Sequence, residues 1–381
     1  RSKDSGLFDK KVRPRLYWIR ESGGLAIEDV ISLVMPGRKG EDVHGCIRDL
    51  MLLLEAFRDA GELGSVIKLP DMDLERLRKW WEGFGESIGT DTKAFTVHGR
   101  IKDLINQALV MQGKYNVVVT NPPYMGIRGM NESLAGYLNT HYKVSKHDLF
   151  TVFMDLARRM TMPGGYLALI NQHSWMFLSS YQKFREEFAQ KCCICSMLHL
   201  GSGVFRGNVG TIVQSTAFVA RNMSLEGYRS VFLNLQGGSS SLQKEQALLD
   251  VKAGRGDIVH TLCISDLEDI PGKPIAYWAK ESIIRAFACN KKLGEMAKPR
   301  QGMATSDNSS FVRYWYEVPI QSIGFGCGSD DEAQRSGCRW FPYNKGGSYR
   351  KWYGNNSLVV NWENGGEQVK ELAALLYGSY T

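Results

Sequence analysis

The sequence predicts an α/β protein: a mostly parallel sheet flanked by helices, with an antiparallel edge hairpin, followed by a second, smaller domain. Three observations predict it. Segments with the apolar spacing of helices alternate with β-branched runs at the interval of βαβ units. One of those runs, Tyr115–Thr120, is valine-rich without alternation, as a strand buried on both faces of a parallel sheet would be. The chain has 381 residues, 43% hydrophobic and 23% charged, enough for two or three domains and unlike a disordered or fibrous protein.

Taken in order, residues 1–40 are Gly-rich and weakly periodic and predict irregular structure. Gly45–Gly61 places apolar residues at i, i+3 and i+4 and ends on glycine, as an amphipathic helix does. Gly64–Pro70 reads as a short strand stopped by proline. Leu74–Phe84 and Val97–Gln112 are helical, the latter stopped by Gly113. After the strand Tyr115–Thr120 come a helix over Asp148–Met160, a strand over Tyr166–Ile170, a helix over Ser180–Gln190, and strands near Ile194–Leu200 and over Thr211–Arg221. Arg229–Leu235 predicts one more strand, in a hairpin with the one before. Gly237–Ser241 reads as a flexible break, and beyond Leu293 glycine, aromatic and basic residues dominate. The organisation expected is a helical region over 1–105, a core over 106–236, a connecting region over 237–292 and a further domain over 293–381.

Lys and Arg outnumber Asp and Glu by 47 to 40, a charge of +7 that mildly favours polyanionic partners. No stretch approaches the ~18 apolar residues of a membrane span, and no leader follows Arg1, so a cytoplasmic protein with no membrane partner is expected. The eight cysteines are too sparse for a disulfide framework. Cys192, Cys193, Cys195 and His199 lack the spacing of a tetrahedral zinc site and read as buried groups at the start of a strand; no metal is expected.

The chemistry is concentrated where the first strand stops. Asn121-Pro122-Pro123-Tyr124 ends it abruptly, because proline cannot donate to a ladder and fixes φ. In open parallel sheets the ligand crevice lies at that end of the strands. Rigid prolines allow Asn121 Oδ1 and the Pro122 carbonyl to aim at one amino group, while Tyr124 offers an aromatic face. The amino group of adenine is a poor nucleophile, its lone pair spread into the ring. Two acceptors on its N–H bonds favour a more tetrahedral nitrogen, ready for in-line attack on a methyl group. Such a base must leave the duplex, at a few kcal/mol, which stacking worth about 1–3 kcal/mol largely offsets.

Tyr115–Tyr124 resembles the catalytic motif of N6-adenine DNA methyltransferases. Lys146–Phe150, Gly164–Trp175 and Gly201–Phe205 resemble that family's later core motifs. Arg339–Gly347, Arg350–Asn355 and Val360–Trp362 are similar to target-recognition segments of its large members. The resemblance is closest to the adenine-specific methyltransferase of BREX phage-defence systems, then to fused type IIG restriction–methylation enzymes, and covers most of Gly45–Thr381. It implies a Rossmann-like methyltransferase core, incomplete in its N-terminal half, and the start of a target-recognition domain. It also implies S-adenosylmethionine as methyl donor, double-stranded DNA as partner, other subunits of a defence complex, and Asn121, Pro122, Pro123 and Tyr124 as the catalytic residues. His173 and Trp175, at a carboxyl edge, are candidate substrate contacts. Asp148 reads equally as a helix cap or a site residue.

In Arg335–Tyr353 five basic residues occur without an acidic one, interleaved with six aromatics. Arg339, Lys345, Arg350, Lys351 and Trp352 are candidate DNA contacts, half of the aromatics being expected in a small domain's core. The family's Gly-rich donor loop is not found. Gly23-Gly24 and Gly37–Gly45 follow no strand, Gly201–Gly203 and Gly207–Gly210 read as turns near the substrate, and only Asp71 offers a weak donor contact. A chain without the loop is expected to be an inactive fragment with negligible donor affinity. Two alternatives remain: a non-catalytic DNA-binding subunit, and a methyltransferase acting on a protein glutamine amide. Cytosine-C5 chemistry is excluded, since no cysteine follows a proline.

Overall fold

The structure is a computed structural model and describes residues 15–34, 41–88, 90–205, 213–297 and 302–377. It divides into two units, 1–291 and 292–381.

The first unit begins with helices: α1 (Ile27–Val34), α2 (Glu41–Ala56), α3 (Leu74–Gly85) and α4 (Thr92–Gln112). Leu50, Leu53, Phe57, Leu77, Trp81, Ile101 and Leu104 form their common core. Asp73 and Asp91 start α3 and α4 by accepting backbone N–H groups of the first turn, which the apolar period alone does not reveal. Helix α1 falls where irregular structure was expected. The strand expected over Gly64–Pro70 is instead a 3₁₀ turn, Gly64–Val66, and an extended segment whose Lys68 N–H donates to the Tyr137 hydroxyl.

The six-stranded sheet comprises β1 (Tyr115–Thr120), β2 (Thr161–Gln172), β3 (Cys193–Gly201), β4 (Ser215–Arg221), β5 (Arg229–Asn234) and β6 (Val259–Cys263), in the order β1-β2-β4-β3-β5-β6. β1 with β2 and β3 with β5 are parallel; β4 is antiparallel to both β2 and β3, and β6 to β5. The sheet is therefore mixed. The expected hairpin of β5 with β4 does not form: β4 lies inside the sheet, where its apolar Phe218 and Ala220 are buried, and β5 pairs with β3.

Helices α5 (Glu132–His141), α6 (Leu149–Met160) and α7 (Gln182–Lys191) connect the strands. α5 was not expected. Its signal is Asn131, whose side chain accepts the Leu134 N–H, with Leu134 and Leu138 spaced for one buried face. One face of the sheet packs Leu167, Leu169, Met197, Phe218 and Phe232 into a core with Phe150, Met154, Phe184 and Phe188. On the other face Val117, Val119 and Tyr166 are 57%, 72% and 42% exposed, and among the described residues no strand pairs with the outer edge of β1. Gly237–Ser240 form a turn and bend, after which Ser240 caps α8 (Ser241–Lys252), and the chain then returns to the sheet as β6.

In the second unit β7 (Val312–Tyr314), β8 (Trp340–Pro342) and β9 (Leu358–Asn361) form an antiparallel sheet in the order β7-β9-β8. Phe311, Val360 and Val369 form one of its small cores, Ile323, Trp340 and Val359 another. Among the described residues no helix is long and apolar enough to cross a membrane.

Candidate active site

β1, β2, β3 and β5 run in one direction, so their carboxyl ends form a single rim. Asn121–Tyr124 leave the rim from β1, His173 from β2 and the turn Gly201–Phe205 from β3. Asn121 and Pro123 are exposed, Pro122 is buried and Tyr124 partly buried. The Tyr124 hydroxyl lies 3.4 Å from Asn121 Oδ1. The Tyr124 ring meets Phe150 and Phe205 edge-on, with centroids at 6.3 and 6.4 Å, and burial pushes its phenol up to about 12, so the hydroxyl stays neutral. Packing on Phe150 and Phe205 holds that ring, while Asn121 is exposed.

Asp148 holds this loop. One of its carboxylate oxygens accepts the Phe150 N–H, capping α6, and the Met125 N–H at 3.1 Å. The Leu149 N–H returns to the Met125 carbonyl and the Ile127 N–H to the His147 carbonyl. Burial pushes the Asp148 carboxyl above its ordinary value, against the lowering by its backbone donors. Of the two readings of Asp148, the cap is the one its bonds express.

His173 and Trp175 part company. The imidazole of His173 is partly buried at the rim, its Nδ1 2.9 Å from His199 Nε2. Trp175 is 0% exposed, packed against Phe184, Phe188 and Phe218, so it is a core residue out of reach of DNA. The reason is local: His173–Met176 turns through a 3₁₀ helix, which carries Trp175 beneath the rim. His199, read earlier with the cysteines, is bonded to His173 and to the Tyr277 hydroxyl. Burial pushes the Cys192 and Cys193 thiols up to about 12 and 11, which suits inert core groups. Tyr277, 78 residues from His199, had no signal in the sequence.

In the second unit Trp340 is buried and Tyr343 half-buried, its hydroxyl donating to the Met303 carbonyl. Tyr349, Trp352 and Tyr353 are 87–88% exposed, beside exposed Arg350 and Lys351. Lys345 is partly buried, and Arg339 pairs with Glu363 at 3.6 Å. The open basic-aromatic surface is thus the stretch Tyr349–Tyr353.

β1 is the outermost strand of the sheet, and Asp71 is an exposed residue on the bend preceding α3. Gly37 and Gly207–Gly210, and the beginning Thr211 of a predicted strand, lie outside the described residues.

Comparison with known proteins shows what the sequence is similar to. Residues 41–205 match the Eco57I restriction-modification methylase family. The chain is 38% identical over 272 residues to the adenine-specific methyltransferase PglX of Lacticaseibacillus casei (strain Zhang), covering 71% of this chain and 22% of that protein. It is 34% identical over 329 residues to the adenine-specific methyltransferase BrxX of Escherichia coli O9:H4 (strain HS), covering 86% and 26%. It therefore spans about a quarter of the length of these curated relatives. A solved structure of a nuclease-deletion mutant of the type ISP restriction-modification enzyme LlaGI with a DNA substrate mimic superposes weakly, with a TM-score of 0.35, 12% identity and coverage of 70% and 31%. Residues 41–205 are thus similar in sequence to the Eco57I restriction-modification methylase family, and the chain is similar over part of their length to two adenine-specific methyltransferases.

Proposed function

We propose that the protein to which these residues belong transfers a methyl group from S-adenosylmethionine to N6 of adenine in double-stranded DNA, in the cytoplasm, as part of BREX-type phage defence or restriction–modification. The observation that carries this reading is the exposed Asn121 at the end of β1, with the Tyr124 hydroxyl 3.4 Å from its Oδ1. An extruded adenine stacks on the Tyr124 ring, and Asn121 Oδ1 and the Pro122 carbonyl accept its two amino hydrogens. This concentrates the nitrogen lone pair on the side opposite the ring's conjugation. In this reading the amino nitrogen does not depend on a strong general base, because it loses its proton once it has become cationic. The exposed segment Tyr349–Tyr353 supplies phosphate and stacking contacts, with Arg339 and Lys345 flanking it. That surface also favours DNA over a protein glutamine as substrate.

The family's Gly-rich donor loop is not found in this sequence. The chain by itself is accordingly inactive, with negligible affinity for S-adenosylmethionine by calorimetry. The rival reading, a DNA-binding subunit without chemistry, is favoured by the open edge of β1 and opposed by the exposed Asn121. The test is Asn121→Ala in the longer protein. Adenine methylation, read by modification-sensitive sequencing, should fall by at least about 10²-fold, the scale for losing one preorganised polar contact. Unfolding should be unchanged, since Asn121 is exposed. Methylation that survives the substitution removes Asn121 from the chemistry.

A further inference from the structure

A chain of hydrogen bonds runs from the core to the rim. The Tyr277 hydroxyl is 2.9 Å from His199 Nδ1, and His199 Nε2 is 2.9 Å from His173 Nδ1. Tyr277 and His199 are 3% and 1% exposed. The Tyr277 ring lies parallel to Phe232 at 4.9 Å, which holds its hydroxyl in place. His173 emerges at the end of β2, edge-on to Phe177 at 5.4 Å, and Phe177 packs at 5.4 Å on Trp278, whose indole is 45% exposed. The outer end of the chain is thus an imidazole edge beside a partly open aromatic shelf.

The donor inventory gives this chain a direction. Burial pushes the Tyr277 phenol up, so it keeps its proton. Its bond among the described residues is the one to His199. A buried hydroxyl that is not to waste its hydrogen donates to His199 Nδ1. His199 then carries its hydrogen on Nε2 and donates to His173 Nδ1, which leaves the hydrogen of His173 on the outward Nε2. Burial lowers both imidazoles, His199 to about 4 with the neighbouring His173 adding to the effect, so both are neutral near pH 7.

We propose that His173 is a specificity-determining residue, donating its Nε2 hydrogen to a ring-nitrogen acceptor of an adenine at the rim, with His199 and Tyr277 as positioning residues that fix its tautomer. This rests on the DNA reading above. A neutral donor flanked by ring faces matches a base edge; a phosphate is matched by the cationic, solvated side chains of the second unit.

Imidazole ¹⁵N NMR of the full chain tests the relay without any methyl donor. Both histidines should be protonated at Nε2 and bare at Nδ1, and Tyr277→Phe should release His173 into a mixture of tautomers. His173 protonated at Nδ1, or a tautomer indifferent to Tyr277→Phe, overturns the relay. The base contact is tested with a single-stranded dA 12-mer and an abasic strand of the same length. His173→Asn, which keeps a polar group at the Nδ1 position only, should weaken dA binding about three- to tenfold, the worth of one neutral hydrogen bond. His173→Gln, which can place an amide N–H near the Nε2 position, should recover most of it, and abasic binding should not change in either. Equal losses on both strands make His173 a phosphate or structural residue and overturn the contact. Normal dA binding by His173→Asn overturns the contact alone, whereas no dA binding by the unaltered chain overturns the contact together with the DNA reading.

Discussion

Replacing Asp148 by alanine tests how the Asn-Pro-Pro-Tyr loop is held. Asp148 is 7% exposed and accepts the Phe150 N–H at 3.2 Å and the Met125 N–H at 3.1 Å. Losing the helix cap costs about 1 kcal/mol. Stranding the Met125 N–H, in a residue 39% exposed and so partly reachable by water, adds about 1 kcal/mol. The sum, about 2 kcal/mol, corresponds to about 30-fold faster exchange of the Met125 and Phe150 amides if they open locally. Native-state hydrogen exchange measures this directly. Asp148→Asn, which keeps an acceptor, should lie near the unaltered protein, with a difference that depends on pH. Burial raises the native carboxyl above its unfolded value of about 3.9. The stability this group contributes is therefore full below about pH 4 and is lost as pH rises through the native value. The unaltered protein should lose ground to Asp148→Asn across that window. Unchanged Met125 exchange in Asp148→Ala would show that the carboxylate does not clamp the loop.

Two further outcomes are expected. Arg185, 4% exposed, donates to the carbonyls of Trp175, Leu178, Gly272 and Lys273, of which Leu178 also accepts the Tyr181 N–H, so Arg185→Ala strands three acceptors and should lower the unfolding free energy by about 3 kcal/mol in urea, with Arg185→Lys recovering less than half; a loss under about 1 kcal/mol would mean water takes over these bonds. Arg350→Ala combined with Lys351→Ala should reduce the slope of log affinity for DNA against log salt by about 2 if both touch phosphate, and an unchanged slope places them off the interface.

The alternation of helices and strands, and the abrupt stop at Asn121, are legible in the sequence because they are set by local chemistry. β-branched residues favour an extended backbone, and proline ends a strand wherever it falls. The strand order was not legible, since a hairpin of β5 with β4 satisfies the same local pattern as the observed pairing of β5 with β3. Both edges of β4 are taken by β2 and β3, so β5 adds to the free edge of β3 instead. The helix α5 is marked chiefly by its Asn131 cap, a single-residue signal that the apolar period does not carry.

The sequence by itself determined that a rigid Asn-Pro-Pro-Tyr turn follows a strand, and that basic and aromatic residues interleave near the other end of the chain, because residue type and spacing suffice for both. Only the tertiary structure decided that Trp175 belongs to the core and His173 to the rim, two residues apart on a 3₁₀ turn. It alone joined His199 to Tyr277, 78 residues away, and separated the exposed Tyr349, Trp352 and Tyr353 from the buried Trp340. Each of these depends on which face of an element meets a neighbour distant in sequence, and one-dimensional periodicity carries no record of that neighbour.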